Sequence, residues 1–184
     1  RLKEYAEKPE CPYLQASAGD GRYIYAKTED AFEMDMLPKD GMTEAAIKAA
    51  FIEARRAAEF GFTATEYTRS KADYLSSLEK QYLNKDKRYN ATFVNQYVQH
   101  FLANEPIPSI DYTYEIMKQV VPAIPVDYIN MVMKELVPPT NKNVVLLNFN
   151  TEKDGAVYPT AETFKKAIDE ARAETIEVYV DNVK

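Results

Sequence analysis

A chain of 184 residues, 46% hydrophobic and 28% charged, has the composition of an ordinary folded domain and can bury about 70% of its unfolded surface. Its net charge of −6 argues against a nucleic-acid partner, since phosphate binding needs a concentrated basic face. Nothing approaches about 18 uncharged apolar residues in succession, so no membrane span is expected. The opening Arg1-Leu2-Lys3-Glu4, without a Met, reads as an excised segment of a longer protein whose targeting information lies upstream.

Leu2 to Lys8 reads as the end of a helix stopped by Pro9 and Pro12. Tyr13 to Ala18, Arg22 to Lys27 and Ala31 to Leu37 follow as three short strands. Gly19-Asp20-Gly21 supplies the first turn and Thr28 to Asp30 the second. In the third strand Phe32, Met34 and Met36 alternate with Glu33 and Asp35, the period of a sheet with one wet face. The turns are too short for a crossover, so the meander is antiparallel.

Helices dominate the middle of the chain. Thr43 is placed to cap a helix whose Ile47, Phe51, Ala54 and Ala58 fall at helical spacing. Gly61 suits the left-handed residue ending it, with Phe62 packing back on the last turn. Thr63 and Glu66 have the spacing of a capping box opening the next helix, whose buried face is Tyr67, Tyr74, Leu78 and Tyr82. A third helix after Asn90 lines up Phe93, Val94, Tyr97, Val98, Phe101 and Leu102, until Pro106 and Pro108 break it. Shorter helices are expected near Asp111 to Val121 and Pro125 to Val137, with Pro125 at a first helical position.

Asn143 to Phe149, with Val144, Val145, Leu146 and Leu147, has the length and apolarity of a central strand. Asn150 to Tyr158 reads as a loop. Thr160 then caps a last helix carrying Phe164, Ile168 and Ala171. The order of strands, helix cluster, strand and helix is α+β, an antiparallel sheet packed by helices.

Several residues invite chemistry and have a plainer reading beside it. His100 is the single histidine, and one imidazole without a second His or Cys makes a poor zinc site; a boundary histidine with a local hydrogen bond fits better than a base paired with Glu105. Glu33 and Asp35 share a strand face, as paired acid–base carboxylates would, but a solvated sheet face accounts for them. Asn150-x-Glu152-x-Asp154-Gly155 begins like a calcium loop, yet Ala161 stands where the bidentate Glu belongs and Pro159 interrupts it. Lys85 to Arg88 reads as a solvated turn between helices. Cys11, the single cysteine, forms no internal disulfide. The fourteen tyrosines lack the electrostatic support of a base-stacking surface, and many fall on inner helix faces; Tyr112 and Tyr114 suit either packing or peptide contact.

A set of fragments, taken in order, carries a resemblance: Arg1-Leu2 near a helix end, Ala31-Phe32, Lys39-Asp40-Gly41, Glu53-Ala54-Arg55-Arg56, Gly61-Phe62-Thr63-x-x-Glu66, Arg69-x-Lys71-Ala72 and Glu105-Pro106-Ile107-Pro108. Together they resemble the pitrilysin/insulinase family of zinc peptidases, in the half of the molecule that does not cut. The resemblance implies a metallohydrolase-type domain like those of processing peptidases, truncated at its N-terminus. Such domains pair around a chamber; one carries the inverted zinc motif H-x-x-E-H, and its partner helps enclose an unfolded peptide. With one histidine, this chain cannot contain that motif, so no catalytic or metal-ligating residue carries over to it, and the substrate-contacting residues are not assigned.

The expectation is therefore a non-catalytic partner domain, inactive alone, beside a zinc-bearing catalytic domain of the same polypeptide. Residues 1–150 would form most of the domain and 151–184 a connector with a helix toward the next. A free edge of the Tyr13–Leu37 meander would pair with extended peptide or lead the isolated fragment to self-associate. The resemblance also implies a long bacterial member of the periplasm or envelope. Two rivals remain: an assembly module of the same fold without peptidase activity, and a helical adaptor binding through the Phe93–Leu102 face. The adaptor requires that face to be exposed, so the burial of Tyr97 and Phe101 separates it from the family reading.

Overall fold

The computed structural model describes residues 1–22, 28–139, 154–155 and 158–182. In chain order these form α1 (Leu2–Ala6), β1 (Tyr13–Arg22), β2 (Asp30–Pro38), α2 (Thr43–Phe60), α3 (Ala64–Leu83), a 3-10 turn (Lys85–Lys87), α4 (Asn90–Ala103), α5 (Ile110–Ala123), α6 (Val126–Leu136) and α7 (Ala161–Ala173). The α+β reading holds. The chain divides into two compact units, Arg1–Gly61 with Ile129–Asn182, and Phe62–Tyr128.

In the first unit β1 and β2 pair antiparallel, from Tyr13 opposite Pro38 to Arg22 opposite Asp30. Phe32, Met34 and Met36 are half-buried and Asp35 is exposed as expected, but Glu33 is half-buried too and the apolar Leu37 is exposed, so the alternation is only partial. The expected turn at Gly19-Asp20-Gly21 is not there: these residues continue β1, opposite Glu33, Phe32 and Ala31. Neither glycine adopts a positive φ, and a Cβ at either would meet open space. Composition marked a turn where the ladder, by satisfying the backbone, holds an extended strand. The expected second strand therefore loses Arg22 to β1, and its remainder lies outside the described residues. The expected strand at Asn143–Phe149 lies outside them too, as do residues 150–153 of the calcium-like stretch.

The core of this unit is small and specific. Cys11, Tyr13 and Ala46 are buried, with Leu2, Tyr5, Ala6, Ala16, Met36 and Ala49 packed around them. Tyr13 reaches the Leu2 carbonyl through its hydroxyl at 2.9 Å and meets the Tyr5 ring edge-on at 5.9 Å. Helix α1 packs on β1, and α2 packs on β2 and on α7. Small residues permit that approach: Ala46, Ala50, Ala57 and Ala58 of α2, and Ala167 and Ala171 of α7 beside Phe164, are buried. Thr160 and Thr163 cap α7 reciprocally. At α2 the capping position is Met42, without a side-chain bond, and the expected cap Thr43 is already the first helical residue.

In the second unit α3 and α5 pack together, and Leu78 is its buried residue. Tyr82 of α3 and Tyr114 of α5 stack at 4.4 Å with an interplanar angle of 9°. Helix α4 forms where the sequence places it, but among the described residues no element packs extensively along it.

Candidate functional site

Several of the fragments that carry the family resemblance act at helix ends. Arg55, midway along α2, donates Nη1 to the carbonyls of Ala171 at 2.7 Å and Glu174 at 3.0 Å, and holds Glu59 through Nε and Nη2. Those carbonyls belong to the last turn of α7, where no intrahelical donor remains and the helix dipole favours a cation. Arg56 pairs with Glu53 and donates Nε to the Glu177 carbonyl at 2.9 Å. In the second unit Lys71 bonds the carbonyls of Pro122 at 3.1 Å and Ile124 at 2.6 Å at the end of α5, joined there by the Tyr67 hydroxyl at 3.1 Å.

Gly61 ends α2 with φ +75°, and a Cβ there would lie 2.6 Å from the Asn130 side chain. One residue, Phe62, separates Gly61 from Thr63, whose Oγ1 accepts from the Glu66 amide at 3.2 Å while its own amide donates to Glu66 Oε2 at 2.8 Å. The capping box is as the sequence indicates. These side chains supply donors or acceptors that a helix end lacks.

The candidate chemical residues stay apart. His100 is exposed, and its Nδ1 lies 2.6 Å from the Glu105 carbonyl. A carbonyl only accepts, so Nδ1 carries the proton and the ring serves the turn that ends α4. Glu33 and Asp35 stand on β2 opposite Gly19 and Ser17. Tyr114 is committed to its stack with Tyr82, whereas Tyr112 is 63% exposed. Among the described residues no third strand pairs with either outer edge of β1–β2.

The α4 face departs from the buried arrangement. Val94, Tyr97, Val98 and Leu102 are exposed, and Phe101 is 87% exposed, so the amphipathic pattern formed its helix without burying it. Tyr74, expected on the buried face of α3, is likewise 46% exposed. Periodicity selects helix and face; burial requires a partner surface, which the described residues do not supply here.

The basic run also differs from a solvated turn. Lys85 pairs with Asp111 of α5, which draws the Asp111 carboxyl below its ordinary range and raises the lysine. Arg88 is half-buried, 4.6 Å over the Phe93 ring, with Nη2 3.5 Å from Gln96 Oε1. It lines a cavity of about 310 Å³ among α3, α4 and the start of α5. No local sequence signal marks this cavity, since its walls come from segments far apart in the chain.

The described residues form a two-stranded antiparallel sheet packed by helices, an α+β arrangement, in a chain whose single histidine cannot make an H-x-x-E-H motif. The chain is similar over its whole length to the periplasmic protease PqqL of Escherichia coli, with a TM-score of 0.75 and 19% identity, covering 20% of that chain. Against the first half of PqqL, also a solved structure, the TM-score is 0.71 at 17% identity, covering 98% of this chain and 38% of that one. A zinc protease PQQL-like protein of Arabidopsis thaliana is 28% identical over 105 residues, 57% of this chain and 11% of that protein. No family profile matches.

The chain thus has the fold of part of a PqqL peptidase, and its likeness to a pitrilysin-type zinc peptidase, first visible in the ordered fragments, is borne out. It spans about a fifth of PqqL and about a tenth of the plant relative. Zinc belongs to the named zinc protease; this chain, with one His and one Cys, does not fit a His-pair catalytic site. No described helix is long and apolar enough to cross a membrane.

Proposed function

We propose that this chain is the non-catalytic part of a zinc-dependent peptidase of the PqqL type, enclosing and ordering peptide beside a catalytic domain elsewhere in the polypeptide. The carrying observation is the PqqL fold over the full length of a chain with a single histidine. The role of Arg55, Arg56 and Lys71 as clamps on helix ends supports a scaffold rather than a reacting centre. An edge of β1–β2 that no strand covers among the described residues would hold extended peptide by main-chain bonds. On this reading residues 1–150 would be most of the domain and 151–184 a connector toward the next one, with α7 of that segment packed on α2. By likeness to PqqL, a periplasmic protease, we place the whole protein in the periplasm.

The test is peptide cleavage and zinc content of this chain alone, then mixed with the neighbouring N-terminal domain. Activity in the mixture alone, with zinc in the added domain, supports the reading. Stoichiometric zinc with cleavage by the isolated chain overturns it. Association without activity favours an assembly module of the same fold.

One observation favours the helical adaptor: Tyr97 is 59% and Phe101 87% exposed, the outcome that reading requires. Hydrogen exchange on α4 discriminates. Protection of α4 on adding the catalytic domain assigns the face to the peptidase itself, and no change there leaves it to a separate partner.

A further inference from the structure

We propose that the cavity among α3, α4 and the start of α5 is a carboxylate-binding site, taking a small apolar group that ends in a carboxylate, such as the C-terminal residue of a peptide. Arg88 is the sole charged side chain in its wall. Among the described residues Arg88 makes no ion pair; its polar partner is the Gln96 amide oxygen, at a long 3.5 Å. No carboxylate lines the cavity among the described residues. A half-buried guanidinium without an anion retains a fork of donors suited to both oxygens of a carboxylate.

The rest of the wall fits the same ligand. Ser77 and Gln81 stand one turn apart on the same face of α3, both line the cavity, and neither makes a hydrogen bond among the described residues. They offer donors to a bound carboxylate or an adjoining amide. Leu78 and Ile110 supply an apolar wall. The first turn of α5, which carries Ile110 and Thr113, adds the positive end of a helix dipole. At about 310 Å³ the space lies at the small end of ligand sites, suiting about one amino-acid residue rather than a longer peptide. The Phe93 ring beneath Arg88 steers the guanidinium through a cation–π contact, so the fork is positioned before a ligand arrives.

This inference goes beyond the scaffold role and stands on the cavity alone, so it is tested without a catalytic domain. The 184-residue chain is titrated calorimetrically with N-acetyl-alanyl-leucine, with its C-terminal amide, and with N-acetyl-glutamyl-leucine amide. Saturable binding of the free acid, with the alanyl amide at least about ten-fold weaker, is the expected result. Arg88→Gln should abolish the preference for the acid and Arg88→Lys should retain part of it, at unchanged melting temperature. If the glutamyl amide binds as tightly as the acid, the site takes carboxylates from side chains as well as from chain ends. Equal binding of acid and alanyl amide, or no binding of any probe at about 10 mM, overturns the proposal. The acid-to-amide comparison uses the unaltered chain and is independent of how the variants fold.

Discussion

The guanidinium of Arg55 donates to the carbonyl of Ala171 at 2.7 Å, joining the middle of α2 to the last turn of α7 across 116 residues. The contact satisfies an acceptor that the end of α7 leaves open, in a position where the small side chains of both helices bring their backbones close. Arg55→Ala should release the C-terminal turn of α7 and destabilise the first unit by about 1–3 kcal/mol, the range for hydrogen bonds to a charged group. Hydrogen exchange should locate the loss in α7. Arg55→Lys should recover only part of it, because an ammonium cannot span Ala171, Glu174 and Glu59 together.

Gly61 is required by both conformation and space. Gly61→Ala should cost about 1–2 kcal/mol from the positive φ alone, with a further penalty from the Cβ against Asn130. Urea unfolding of Gly61→Ala with and without Asn130→Ala separates the two parts. If the double variant is no more stable than expected from the sum of the single changes, the crowding contribution is absent.

The Tyr13 phenol should set an alkaline limit on stability. Burial, with the neighbouring Cys11, raises its pKa from the ordinary value of 10.0. For an acid with a raised folded pKa, the stabilising contribution is complete below the unfolded pKa and drains away as pH rises from there toward the folded one. Unfolding free energy should therefore fall above about pH 10, and less steeply in Tyr13→Phe. At neutral pH that substitution should cost about 1 kcal/mol through loss of the bond to Leu2.

Cys11 reports on the same core. It is fully buried, its thiol 3.4 Å from the Tyr13 carbonyl. A thiol reagent should leave it untouched in the native chain, and its labelling rate in urea should follow the opening of the first unit. Rapid labelling under native conditions would show that α1 and β1 separate without global unfolding.

The capping box gives a local test in the second unit. Thr63→Ala should destabilise α3 by about 1 kcal/mol. Glu66→Gln, which keeps the acceptor but removes its charge near the helix start, should cost less.

The candidate site divides along similar lines. That no zinc motif is present followed from the count of histidines, and His100 was legible as a boundary histidine with a local hydrogen bond, which it makes to the Glu105 carbonyl. Arg88 was not legible: the same basic run that would be a solvated turn in isolation becomes a cavity wall once α3 and α5 stand beside it. The α4 face shows the converse, a sequence pattern for burial that the described neighbours do not fulfil.

By itself the sequence determined the features set by short-range chemistry: the helices at α2 to α7, the Thr63–Glu66 capping box, the Thr160 cap and the break at Gly61. Each depends on residues within one or two turns, whose geometry a local pattern specifies. Tertiary structure alone decided that Gly19-Asp20-Gly21 extends β1, that Arg55 and Lys71 cover distant helix ends, and that Arg88 lies in a cavity. These outcomes turn on which distant backbone groups and surfaces come together, because an open carbonyl or an apolar face constrains a side chain only when packing brings the two within reach.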